Sequence, residues 1–509
     1  MLRIGIRHPL DTLNPVLAQQ QVDIEVSAFW AGYLFALDDR NNLVPDLATV
    51  VPTVANGGIS HDGKTITYHL RRGVSWHDGA PVTADDVLFT FRAVMNPNNL
   101  VPSRVGYELI DSIRKSDDHT VVVRLRRSYS PFVATFLATA AAYPYCVLPH
   151  HIFRDSTDIN HVAFNTMPVG TGPFRVARYE PGSSIDLVAN DRYWRGRPKL
   201  KAVKISIIPN DNTLLTLVRT HEIDLYYRSP HVFARELAGV PGVRIVTTPF
   251  TRFDDIGFNT TSAIVSDVRV RQALAYATDK HAIIEKATQG ADILADTDQP
   301  PYLWAYNVNV PKYAYDPERA AMLLDAAGWR PGPGGIRQKD GAPLRLGLAG
   351  IAGDAVSTTI RELIQAQWQL VGVDAEIKSY PSDILYGSFG DGGVEQTGHF
   401  DAVLEGFANG LDPDDSVLFE CRWRPPAGQN TYRLCDPSLD AAEEAALSTN
   451  DQAVRKIAYA RVQNILAVQL PVIVVFFERY DFAVNSDLRG LRPAHVNIAL
   501  WNPWEWEIR

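Results

Sequence analysis

Residues Asp62 to Val87 read Asp-Gly-Lys-Thr-Ile-Thr-Tyr-His-Leu-Arg-Arg-Gly-Val-Ser-Trp-His-Asp-Gly-Ala-Pro-Val-Thr-Ala-Asp-Asp-Val, the most organised local code in this 509-residue chain. Asp62-Gly63 has the composition of a hairpin turn. Ile66, Tyr68 and Leu70 alternate with Thr67 and His69, as a half-buried strand requires. The chain turns between Gly73 and Gly79 and then enters a helix. Thr83-Ala-Asp-Asp86 fits a capping box, Val87, Leu88, Phe91, Val94 and Met95 supply an apolar stripe, and Asn96-Pro97 stops it. Gly58-Ile-Ser-His-Asp-Gly63-Lys64-Thr65 also matches the phosphate-loop pattern literally. Such a loop needs a strand before it and a helix after it so that amides converge on phosphate, whereas Thr65 opens a strand, so the match is read as a turn.

Outward from this stretch, strands and helices alternate. Leu2 to Ile6 reads as a strand followed by the turn cluster Asp11 to Pro15. Further strands are expected at Val121 to Leu125, Ile185 to Val188, Val203 to Ile208, Ile223 to Tyr227, Val373 to Ile377 and Val472 to Phe477. Helices are expected around Thr213 to Thr220, across Asp267 to Gly290 as one long element, after Pro317, at Thr358 to Leu370, Asp440 to Leu447 and Val454 to Val468. The pattern argues α/β lobes with crossover connections, in which ligands sit beyond strand ends or between domains.

Composition excludes several classes. The net charge is -9 and the Lys and Arg residues are scattered, so the basic footprint of a nucleic-acid binder is absent. Val133 to Leu148 and Leu470 to Phe477 are shorter than the roughly 20 residues that span a bilayer, and they read as lobe cores. Met1 to Ile6 lacks a basic segment and apolar run, which taken literally expects the cytoplasm unless Met1 stands in place of a removed leader.

Three cysteines, Cys146, Cys421 and Cys435, form no CxxC. A bridge between Cys421 and Cys435 would add about 3 kcal/mol by restricting the unfolded chain, with free buried thiols as the alternative.

Catalytic and metal motifs find no anchor. Gly170-Thr-Gly172 lacks the third glycine of a dinucleotide loop and runs into a strand. Thirteen histidines give no HExxH, and adjacent His150-His151 point apart. Asp412-Pro-Asp-Asp415 has Val417 where a calcium loop needs Gly, and Gly387-Ser388-Phe389-Gly390 misses the nucleophile-elbow spacing. No enzymatic activity, cofactor or metal is expected.

The chain resembles the peptide and nickel class of extracellular solute-binding proteins. The signature-like segment is Asp62 to Val87, and Leu43-Val-Pro-Asp-Leu-Ala48, Val169-Gly-Thr-Gly-Pro-Phe174, Asn190-Asp-Arg-Tyr-Trp194, Phe258-Asn-Thr-Thr261, Val268-Arg-Val-Arg-Gln-Ala-Leu274, Tyr315-Asp-Pro-Glu-Arg-Ala320 and Ala327-Gly-Trp329 follow in the family's order. The resemblance implies a type II, cluster C-like periplasmic-binding fold. Lobe one would comprise residues 1–35, an insertion at 36–165, a continuation at 166–250 and a C-terminal return at 471–509; lobe two would be 251–470. It also implies export to a periplasmic or extracytoplasmic location, lipid-anchored or free, a monomer, and an ABC permease partner.

By the same resemblance, ligand contacts are expected at Phe29, Trp30 and Tyr33, at Tyr143 and Tyr145, at Phe407, Ala408, Asn409, Gly410 and Asp412, and at Asn497. Dipeptide receptors of this class carry Gly-Trp followed by an ammonium-pairing aspartate. Here Gly406-Phe-Ala-Asn-Gly-Leu-Asp412 places Phe407 for that Trp and Asn409 or Gly410 for that Asp. A free dipeptide is therefore disfavoured, leaving longer peptides, glycosides, opine-like compounds or other small solutes. A sensor subunit would use the same fold.

Overall fold

The structure is a computed structural model that describes residues 1–154, 156–496 and 498–509. Leu2–Ile6 (β1) opens the chain. Thr65–His69 (β2), Ile110–Asp117 (β3) and Thr120–Leu125 (β4) form a separate antiparallel sheet in the order β2-β4-β3. The chain then returns through Phe174–Glu180 (β5), Ser184–Ala189 (β6), Ala202–Ile207 (β7) and Leu225–Ser229 (β8). Val243–Phe258 (β9), Arg345–Ile351 (β10), Asp374–Tyr380 (β11), Ala402–Ala408 (β12) and Val472–Asn485 (β13) follow.

Among the described residues, one eleven-stranded sheet runs β11-β10-β12-β9-β13-β8-β1-β7-β6-β5, with the short Ile293–Leu294 added on β13. β1 is parallel to both neighbours and β9 is antiparallel to both of its own. The two long strands β9 and β13 pass through both lobes. They pair from Val243↔Asn485 to Gly257↔Val472, and the register breaks between Pro249 and Phe253. Proline has no N–H to give to the ladder, so a break beginning at Pro249 follows from its chemistry.

The cores change over at that same level. Phe250 and Tyr480 belong to a core with Leu2, Ile4, Ile205 and Trp506, whereas Phe253 and Phe477 belong to a core with Phe419, Tyr432 and Tyr459. A third core, from Ile256 to Trp368 and Val475, fills the rest of lobe two, and a fourth lies in the insertion around Tyr68, Trp76, Phe89, Val123 and Phe136. The apolar stretches 133–148 and 470–477 contribute to these interiors, and no described helix is long and apolar enough to cross a membrane.

Asp62 to Val87 folds as its sequence dictates. The Ser60 N–H donates to the Thr65 carbonyl, Gly63 takes φ 68°, and Thr65 opens β2. The helix Ala84–Met95 carries the capping box, with the Thr83 N–H donating to Asp86 at 2.8 Å. His77, in the intervening turn, joins this segment to Val169–Phe174. Its Nδ1 accepts from the Gly170 N–H (3.1 Å) and its Nε2 donates to the Gly172 carbonyl (3.0 Å). Those partners need the neutral ring, and burial lowers the His77 pKa to about 4.

One expected element is divided. The segment Asp267 to Gly290 forms two helices, Val268–Tyr276 and Lys280–Ala287, not one. Asp279 interrupts because its carboxylate caps the second helix through the Ala282 N–H at 2.9 Å, a local bond that competes with helix continuation. Thr278 beside it accepts from the Trp368 indole at 3.0 Å, fixing the corner in the lobe-two core. Cys421 and Cys435 are joined as a disulfide, and Cys146 is a buried thiol.

Candidate functional site

A cavity of about 1050 Å³ opens where β9 and β13 change lobes. Charged residues from both sides line it. β8 contributes Arg228, β9 contributes Arg252 and Asp254, β12 contributes Glu405 to Phe407, and β13 contributes Glu478 to Asp481. The broken register gives β9 three residues, Phe250 to Arg252, against Glu478 alone. Arg252 spans that gap, with Nε 2.9 Å from Glu478 and a second nitrogen 3.3 Å from Asp254. Burial opposes its charge, but Asp254 and Glu478 outweigh this and raise its pKa.

Arg228 sits at a bulge in β8 with φ 51°, a conformation costly for a residue with a Cβ. Its guanidinium lies 3.6 Å from the Tyr480 ring centroid and 3.6 Å from Glu478, and Tyr480 stacks on Phe250 at 4.3 Å. His231 follows, 2.7 Å from Asp481 and 3.4 Å from Asp292. Burial lowers its pKa, but the hydrogen bonds to Asp292 and Asp481 prevail and hold it at about 9. This stabilisation is complete below the unfolded value of about 6.5 and is lost as pH rises through 9. His231→Gln is expected to remove about 2–3 kcal/mol of stability at pH 6 and little at pH 10. Denaturation midpoints across that range check it; equal losses at both ends would refute the charged pairing.

A smaller annex of about 260 Å³ adjoins the large cavity and shares Tyr143, Phe407 and Gln429 with it. Tyr107, Tyr129 and Tyr145 of the insertion face Asn409, Gly410 and Trp423 of lobe two across it. The insertion touches lobe two at its edge: the Leu411 N–H donates to Ala140 (2.9 Å), and a Cβ on Gly410 would come within 2.6 Å of that carbonyl.

The expected contact residues therefore separate. Tyr143 and Phe407 line both spaces, and Tyr145, Asn409, Gly410 and Asp412 line the annex. Tyr145 turns its hydroxyl to the Ser103 carbonyl (2.6 Å), and the Asp412 carboxylate is held 2.6 Å from Arg455.

Phe29, Trp30 and Tyr33 do not line either space. Phe29 packs edge-on against Phe174 and Trp506, the Trp30 indole donates to the Leu13 carbonyl, and the Tyr33 hydroxyl meets Ser27 at 2.7 Å. All three are core: the Gly170-Thr-Gly172 turn closes over the backbone of Phe29 and Trp30, and Tyr33 packs in the insertion core, so Trp30→Ala reports on stability rather than on contact with a solute. Ala408 is half-buried against the lobe-one core, and Asn497 lies outside the described residues.

Arg228, His231, Arg252, Asp254, Glu405 and Glu478 were not among the expected contacts. Their signal was charge inside otherwise apolar strands, as in Arg252-Phe-Asp-Asp255 and Glu478-Arg-Tyr-Asp481. A strand buried on both faces reads as a continuous apolar run, so such interruptions mark a cavity or an ion network.

Two α/β lobes that share a pair of long strands, with a charged, solute-sized cavity at the crossover, define a solute-binding protein. The model of the bacterial extracellular solute-binding proteins, family 5 (middle region), matches residues 42–422, and the chain belongs to that family. It is 26% identical over 503 residues to the oligopeptide-binding protein AppA of Bacillus subtilis, covering 97% of this chain and 89% of that one. It is 29% identical over 470 residues to a dipeptide-binding protein of Escherichia coli, covering 87% and 83%. Among solved structures, NikZ of Campylobacter jejuni in complex with Ni(L-His) superposes with a TM-score of 0.84 at 25% identity, covering 100% of this chain and 99% of that one.

Proposed function

We propose that this protein captures a peptide or peptide-like solute in the cavity between its lobes and delivers it to an ABC permease outside the cytoplasm. The observation that carries this reading is the position of the 1050 Å³ cavity at the level where both long strands change lobes. A solute held there touches both lobes and the insertion at once. Only a ligand with different affinity for the open and closed arrangements shifts the balance between them, and contact with both lobes supplies that difference. The AppA and dipeptide-binding relatives support a peptide as the cargo.

In this reading lobe one comprises 1–35, the insertion 36–165, 166–250 and the C-terminal return, and lobe two begins at 251. The return, placed at 471–509, regains the lobe-one core only after Glu478, because Val472 to Phe477 pack in lobe two. Tyr143 and Phe407, which border both spaces, hold the solute by their ring faces, and the Arg252, Asp254 and Glu478 set fixes its polar groups. The receptor acts as a monomer, and any anchor lies at the membrane surface.

The test is thermal unfolding against peptides. Ligand at 100 times its dissociation constant adds about 2.7 kcal/mol of stability. Phe407→Ala and Tyr143→Ala should keep the ligand-free melting temperature and lose most of the shift; a full shift in both variants would remove these residues from the site.

A further inference from the structure

Asp255 on β9 and Glu405 on β12 are direct register partners, so their side chains stand side by side on one face of the lobe-two sheet. Like charges placed directly opposite destabilise an antiparallel pair. A third carboxyl makes this worse. Glu395, from the short helix Val394–Thr397, comes within hydrogen-bonding reach of Glu405. Asp255 is fully buried with neither oxygen partnered, and Glu395 is 6% exposed with Oε1 unpartnered. Glu395 and Glu405 both line the large cavity.

The basic groups nearby are engaged elsewhere. Arg252 is bound to Asp254 and Glu478, and Arg433 gives its guanidinium to the backbone carbonyls of Glu395, Gln396 and Thr431. Asp254, Tyr386 and Tyr432 are the other titratable groups around the three carboxyls; the Asp254 carboxyl repels Asp255, and the Tyr432 phenol is a hydrogen-bond partner of Glu405, so no cation is among them. Burial, then mutual repulsion, pushes Asp255 and Glu395 far up, and burial raises Glu405. Buried carboxyls normally find a cation or hydrogen-bond donors. The missing cation has a way in, because two of these groups face a space large enough for an organic body.

We infer that Glu395 and Glu405, backed by the buried Asp255, form the seat for a basic side group of the solute, a protonated amine or guanidinium. This rests on the reading that the large cavity holds the solute, and it narrows the cargo to solutes that carry a positive side group. An organic cation suits the cluster better than a metal ion, since no group of three acidic, His or Cys side chains among the described residues is disposed to hold one. Seating a cation lowers the pKa of carboxyls that burial holds high, so protons leave as the solute enters.

Calorimetry near neutral pH in two buffers of different ionisation enthalpy reads affinity and proton release together. The probes are Ala-Lys-Ala, its neutral analogue Ala-norleucine-Ala, and agmatine. Ala-Lys-Ala is expected to bind at least about tenfold tighter than the norleucine peptide, with proton release. Glu395→Gln and Glu405→Gln, which keep side-chain size, should each abolish the preference and the proton release without lowering the melting temperature. Equal binding of the two peptides, or a lysine preference unchanged in both variants, overturns the inference and leaves the peptide reading standing. Agmatine binding with proton release while both peptides fail keeps the cation seat and overturns the peptide reading. Failure of all three probes overturns both.

Discussion

Gly170→Val is expected to leave little folded protein. A Cβ at Gly170 would lie 1.7 Å from the Trp30 carbonyl oxygen and 2.7 Å from its carbonyl carbon, both backbone atoms that no rotamer change can move. The same turn holds His77 through the Gly170 N–H and the Gly172 carbonyl, so displacing it also breaks the contact between the insertion and lobe one. Overpacking a tight site costs about 1–3 kcal/mol where side chains can adjust, and a backbone clash should exceed about 3 kcal/mol. Soluble yield and thermal unfolding measure this, with Gly239→Ala as control because nothing lies within 4 Å of its added Cβ. A Gly170→Val protein that melts with wild type would show that the turn does not close over Trp30 as described.

Arg271→Met is expected to cost about 3–5 kcal/mol, because several buried carbonyls lose their donor at once and each unsatisfied group costs about 1–3 kcal/mol. Arg271 is 3% exposed, and it donates only to carbonyls: Nε to Gln469 and Leu470 at 3.0 Å each, and the terminal nitrogens to Val265 (2.7 Å), Ser266 (2.9 Å) and Gln469 (2.6 Å). Burial lowers its pKa to about 10, so it remains charged at neutral pH. It ties the start of Val268–Tyr276 to the left-handed turn at Leu470 (φ 47°), from which β13 departs. Methionine fills the volume and leaves those carbonyls without donors. The readout is a lower denaturant midpoint at unchanged slope; a loss under about 1 kcal/mol would contradict the network's importance.

These two residues show why much of the fold was legible in the sequence and the site was not. Gly170 and Arg271 lie in segments whose turns, caps and periodicity follow from local chemistry, and Asp62 to Val87 folds as read. Asp279 shows the limit, because its capping bond ends a helix whose apolar spacing continues past it. The site depends on where distant strands meet. Arg252 is adjacent to Glu478 only because β9 and β13 slip register after Pro249, and no short-range signal encodes that pairing. The expected contacts Phe29 and Trp30 are as aromatic as Tyr143 and Phe407. What distinguishes them is the glycine turn covering the first pair and the cavity beside the second.

Solute capture between the lobes is tested most directly by thermal unfolding of protein refolded free of any co-purified occupant, titrated with a mixed pool of tri- to pentapeptides. Capture in the cavity predicts a saturable rise in melting temperature, about 2.7 kcal/mol at 100 times the dissociation constant, which Phe407→Ala diminishes. An unchanged melting temperature across the full titration would contradict it.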